Sequence, residues 1–117
     1  MLFRSGVAAA TVKTFASRFH KANGDTKGRV VVHHAVEQQV LRLYPGRFTE
    51  QEIHSTSNAR GIPKGINSDL HLRIIRSEWD AFYAARPNAT RREIEAMRDL
   101  IDCKYGPLFI PPMQAPQ

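Results

Sequence analysis

One run in this chain suits a β-strand and little else. Arg29-Val30-Val31-Val32 ends in three successive valines, whose branched, χ1-restricted side chains favour a pleated backbone. The strand runs straight into His33-His34. Beyond it, Val36, Val40 and Leu43 return at helical spacing, which predicts a helix over Ala35 to Tyr44, stopped by Pro45-Gly46. The only other extended piece is Ala59 to Ile62, set in the turn-rich stretch STSNARGIPKGI from Ser55 to Ile66. Everything else marked in the sequence is helical. Thr49 and Glu52 form a capping box that opens a short turn through Ile53 and His54. Asn67 or Ser68 caps a long helix reaching Ala85, with Leu72, Ile75, Trp79 and Phe82 or Tyr83 as its apolar stripe and Pro87 behind it. A second capping box in Asn88-Ala89-Thr90-Arg91-Arg92-Glu93 opens a last helix over Arg91 to Lys104, with Ile94, Met97, Leu100 and Ile101 inward and Gly106 at its end. In the non-helical tail, Leu108, Phe109 and Ile110 are expected to dock on the core. The expectation is an α+β fold in which a short β-hairpin packs on several helices.

The 117 residues suit one small domain, and the single cysteine, Cys103, excludes both an internal disulfide framework and a four-cysteine zinc site. Cys103 reads as a small buried hydrophobe. No apolar run is long enough to cross a membrane, so no membrane insertion is expected. The net charge of +6 points toward nucleic acid. Its distribution is uneven: residues 1–29 hold six Lys/Arg against Asp25 alone, whereas residues 30–117 hold eleven against ten acids. Met1 to Gly24 has no acidic residue and reads either as a helix or linker joined to the domain or as an organelle-targeting presequence. The division expected is therefore residues 1–28 as a basic N-terminal segment and 29–117 as the functional domain. In the latter, Arg60, Lys64, Arg73 and Arg76 lie close together in sequence with only Asp69 among them.

Successive strand residues face opposite ways, so His33 and His34 diverge unless the strand is ending, where both can border one cleft. Asn67 and His71 share one face of the long helix at i, i+4. Asn58 lies in the loop before them. Imidazole is a common metal ligand, and an amide oxygen suits harder cations. Each residue also has a plain role: partly buried histidines, a helix cap at Asn67, a surface His71, and a solvated His54.

The spacing resembles the HNH, or ββα-metal, nuclease pattern. VVVHHAVEQQV is followed by NARGIPKGINSDLH, in which Asn58, an eight-residue gap, Asn67, three residues and His71 occur in order. This is similar to the DNase domains of colicin-type bacteriocins, and Arg29 to Tyr83 resembles toxin domains at the C-termini of RHS-type polymorphic toxins. Asn67 stands where the bacteriocins have a third metal histidine, and the insert between His34 and Asn58 is longer than theirs. The resemblance implies a ββα-metal centre and metal-dependent hydrolysis of DNA phosphodiesters without sequence preference. His34 would be the general base and Asn58 its orienting partner. His33 and His71, with Asn67, would bind one divalent ion: Mg²⁺, Mn²⁺ or Ni²⁺, with Zn²⁺ also compatible. Arg60, Lys64, Arg73 and Arg76 would hold flanking phosphates, Glu37 could orient His33, and His54 is a reserve metal or phosphate contact. The resemblance also implies a bacterial, exported effector acting in a target-cell cytoplasm and an acidic immunity protein as partner. Three rivals stay open: a non-catalytic nucleic-acid-binding module, a structural subunit of an organelle complex (mitochondrial, if residues 1–24 are a presequence), and an RNase on the same scaffold.

Overall fold

The computed structural model describes residues 14–113, so expectations for residues 1–13 lie outside the described residues. A helix, α1, covers 14–22. A turn follows in which Asp25 takes a left-handed φ of 67°, a conformation its short polar side chain tolerates. The chain then enters β1 (Val30–His34), which pairs antiparallel with β2 (Ala59–Pro63) in the register Val30↔Pro63, His33↔Arg60 and His34↔Ala59. The pair is not a tight hairpin. Between the strands lie α2 (Val40–Leu43), α3 (Glu50–Ile53) and a 3₁₀ turn at Thr56–Asn58.

A two-stranded ribbon is marginal in water and needs cover. Here each face has its own. Val30, Val32 and Ala59 pack with Phe15 and Phe19 of α1. On the opposite face Ile62 joins the larger core with Val36, Ile75, Trp79, Ile94 and Phe109. Gly61 is where α1, β2 and the C-terminal tail close on one another. Ile110 donates its N–H to the Gly61 carbonyl at 2.9 Å, and a Cβ at Gly61 would strike the Ile110 carbonyl and stand 2.8 Å from the Phe19 ring. No side chain larger than hydrogen fits there.

After a 3₁₀ turn at Lys64–Ile66, the chain forms one long rod: α4 (Asn67–Asp69), a π-helical segment (Leu70–Ile75) and α5 (Arg76–Ala85). The last helix, α6 (Arg91–Tyr105), opens at the expected capping box, with Thr90 Oγ1 accepting the Glu93 N–H and the Glu93 carboxylate accepting the Thr90 N–H. The Thr49–Glu52 box is also complete.

Several expectations are corrected. The helix expected over Ala35 to Tyr44 is only Val40–Leu43, because Asn58 takes the N–H groups of Ala35 and Val36. Asn67 does not cap: the long rod has no side-chain cap, and the Asn67 Oδ1 has no hydrogen-bond partner. Leu72 is 59% exposed, and Leu70 is buried instead, since the π-helical turn shifts the helical register. Leu100 and Leu108 are exposed. So is Cys103, because α6 turns Asp102 toward β2, where it holds Arg60. Phe109 alone of the tail trio is fully buried. His20, which has no partner pattern in the sequence, contacts Thr26 Oγ1 at 2.9 Å.

Candidate functional site

The end of β1 sends its two imidazoles to opposite faces of the ribbon. His33, 5% exposed, turns toward the long rod. Its ring centre lies 4.4 Å from that of His71, and Phe109 meets it edge-on at 5.6 Å. The π-helical segment carries His71, and such segments often mark functional sites. Both ring nitrogens of His33, Nδ1 of His71 and Oδ1 of Asn67 are buried without a hydrogen-bond partner. Buried polar atoms are nearly always paired, so three orphaned nitrogens on two neighbouring rings need an explanation. Burial, then repulsion from His71, Arg60 and His34, holds His33 well below the ordinary histidine range, and the His34 backbone pulls weakly the other way. His71 is lowered by burial, with Glu37 opposing. Neutral imidazole is the metal-binding form.

Two imidazoles and one amide oxygen make a donor set that a divalent ion accepts while keeping open positions, as catalytic rather than structural sites do. Among the described residues, no three His, Cys, Asp or Glu side chains gather into a metal-holding group. His33 and His71 are the donors whose rings the fold brings together, and Asn67 lies four residues before His71 on the same rod.

His34 occupies the other face. The Phe15 ring stacks on it at 3.9 Å with the planes 2° apart, and its Nε2 lies 3.1 Å from Nδ1 of His54. Burial first, then His54 and His71, lowers His34 to about 4. His54 was expected in solvent and is instead 7% exposed. Its carbonyl accepts the Arg18 guanidinium at 2.6 Å. The local sequence carries no sign of this, since the capping box fixes where α3 starts and not where it ends.

Asn58 does not reach the His34 ring. It fixes the segment that follows. Its carbonyl accepts the Ala35 N–H at 2.7 Å, its Oδ1 accepts the Val36 N–H at 2.9 Å, and its Nδ2 donates to the carbonyls of Val36 and Ile53 at 3.1 and 2.8 Å. Glu37 is buried and makes no hydrogen bond to His33. Its Oε1 accepts the Tyr83 hydroxyl at 2.8 Å and the Gln39 amide at 2.7 Å, and its Oε2 meets Arg76 Nε at 3.3 Å. Burial, and then this carboxylate, push the Tyr83 hydroxyl far above its ordinary range.

A cleft of about 450 Å³ brings together His33, His34, His71, Glu37, Arg76 and Phe15. Asn58, Asn67, Arg60, Lys64 and Arg73 are not among its lining residues. Arg60 is not free for phosphate: both Nε and Nη2 bind the Asp102 carboxylate, at 3.1 and 2.9 Å. Arg73 lies 3.8 Å from Asp69 on the surface, and Lys64 is exposed. Among the described residues, no helix is long and apolar enough to cross a membrane. No family model, curated protein or solved structure matches the chain.

Proposed function

We propose that this protein is a metal-dependent endonuclease that hydrolyses DNA phosphodiesters through an HNH-like centre. One observation carries the reading: His33 and His71 meet ring to ring with three of their nitrogens buried and unpartnered, on the wall of a cleft that His34 shares. The antiparallel pair and the long rod that follows it support the reading, although α2, α3 and a 3₁₀ turn separate the two strands. A divalent ion held by His33, His71 and Asn67 (Mg²⁺, Mn²⁺ or Ni²⁺, with Zn²⁺ compatible) supplies Lewis-acid chemistry at the scissile phosphate when bound.

The chain's own groups divide the remaining work. His34 takes the proton of the attacking water. Arg76 is gripped at Nε by Glu37, which leaves the outer edge of its guanidinium for a phosphate oxygen. Lys64 and Arg73 are suited to flanking phosphates, which position the strand without reading its sequence. Arg60 buttresses β2 against α6. The toxin-type role, export into a target cell and an acidic immunity partner rest on the sequence resemblance alone, and phosphate contacts leave RNA open as a substrate.

The test is nicking of supercoiled plasmid by the purified protein with each of the four metals and with EDTA. Expected is metal-dependent nicking abolished by EDTA, reduced about 10²- to 10⁴-fold by His34→Ala as for loss of a general base, and lost in His71→Ala together with metal binding. An intact protein that binds DNA but nicks it with none of the metals is a binding module, and the nuclease reading fails.

A further inference from the structure

The contact between His34 and His54 joins residues twenty positions apart, and its geometry is constrained from three sides. Phe15 lies flat on the His34 ring and fixes its plane. Phe15 also meets the His54 ring edge-on at 6.1 Å. Arg18 grips the His54 carbonyl, and the capped turn of α3 ends on the same residue. A hydrogen bond between two imidazoles requires one N–H and one lone pair. His34 engages His54 through Nε2, so the only other ring nitrogen through which it can receive a proton is Nδ1.

We infer that His54 is a positioning residue for His34: Nδ1 of His54 accepts the Nε2–H of His34, which fixes the His34 tautomer with an unprotonated Nδ1. This rests on the reading of His34 as the base. It assigns a role to a residue that makes no contact with the proposed metal ligands. The arrangement follows the general rule that the bond made by one ring nitrogen decides the state of the other.

Three variants of the full chain test it. His54→Ala removes the acceptor. His54→Phe removes it while keeping volume in a buried site. His54→Asn places an amide oxygen near the position of Nδ1. Expected for Ala and Phe is a kcat reduced roughly 10- to 100-fold, the range for losing an imidazole's orienting partner. KM and Ni²⁺ affinity by calorimetry should be unchanged, and Asn should recover most of the rate. The ¹⁵N shifts of the His34 ring should show the Nε2–H tautomer in the parent protein and a tautomer mixture in His54→Ala. Parent-like kcat in both Ala and Phe overturns the inference, as does an Nδ1–H tautomer in the parent protein. Equal loss of Ni²⁺ affinity and rate in all three variants also overturns it, since that marks a merely structural residue. A parent protein that is inert, yet shows the Nε2–H tautomer dispersing in His54→Ala, supports the pairing and counts against the nuclease reading instead.

Discussion

Asn58 commits its whole side chain to the backbone around it, and that commitment has a measurable consequence. Replacing it with Ala leaves the Val36 N–H and the carbonyls of Val36 and Ile53 without partners. An unsatisfied buried group costs about 1–3 kcal/mol, and partial relaxation should bring the total to roughly 2–4 kcal/mol. Asn58→Asp keeps the acceptor for Val36 but loses both donations. Urea unfolding should therefore rank Ala and Asp both below the parent. A midpoint for Asn58→Ala within error of the parent would show that this network carries no stability. Asn58 stands out in the sequence through its eight-residue gap to Asn67 in the HNH-like spacing. That spacing does not reveal the target, which is main chain rather than imidazole. Arg60 shows the same limit. Its partner, Asp102, is 42 residues away on α6, and no local pattern pairs a strand arginine with one of several acids on a later helix. The meeting of His33 with His71 follows in the sequence from the HNH resemblance alone, because strand alternation and i, i+4 spacing fix which face a residue takes and not which distant residue it meets.

At the scale of elements, the π-helical segment is the piece that aims the site. It spans Leu70–Ile75 and sets His71 toward His33 while Ile75, Trp79 and Phe82 stay in the core. An α-helix turns about 100° per residue. Deleting the exposed Leu72 should let the rod revert to plain α-helix and carry His71 about that far around the axis. Ni²⁺ affinity measured by calorimetry should fall at least tenfold, with far-ultraviolet circular dichroism and melting temperature near those of the parent. Retained affinity would mean that the wide turn has no part in placing His71. Helix starts at Thr49 and Thr90 were readable because a capping box is complete within four residues. From Ala35 to Gln39 the helical periodicity loses to hydrogen bonds that Asn58, more than twenty residues away, makes to Ala35 and Val36. Leu72 and Leu100 were placed inward by a 3.6-residue period. The π-helical turn breaks that period for Leu72. On α6 the face is set by Ile94, Met97 and Ile101, with Leu100 one step off it.

Across the whole molecule, the ribbon separates two pairs of histidines, one under α1 and one under the long rod, and four of the five histidines in the chain are lowered by burial. This gives the metal-free protein a characteristic acid response. An unfolded histidine titrates near 6.5. His34 in the fold titrates at about 4, and His33, His54 and His71 are displaced the same way. Between those values the unfolded chain binds more protons than the folded one, so stability falls as pH drops through that window. The lowered carboxylates act elsewhere: Glu52, at about 2 through its bonds to Arg91 and Thr49, contributes stability that is lost only in stronger acid. In EDTA, the melting temperature should therefore fall between pH 7 and pH 5 by roughly 5–10 °C, given the usual few degrees per kcal/mol in a domain of this size. Saturating Ni²⁺ should raise the melting temperature at pH 7, by the equivalent of about 2.7 kcal/mol at a hundred times Kd. Because burial disfavours protonation of His33 and His71 in the fold, that gain should shrink less toward pH 5 than it would for two exposed imidazoles. A gain that vanishes by pH 5 would mean that the pair takes protons readily in the fold, and a flat curve in EDTA would mean that the histidines are not buried neutral.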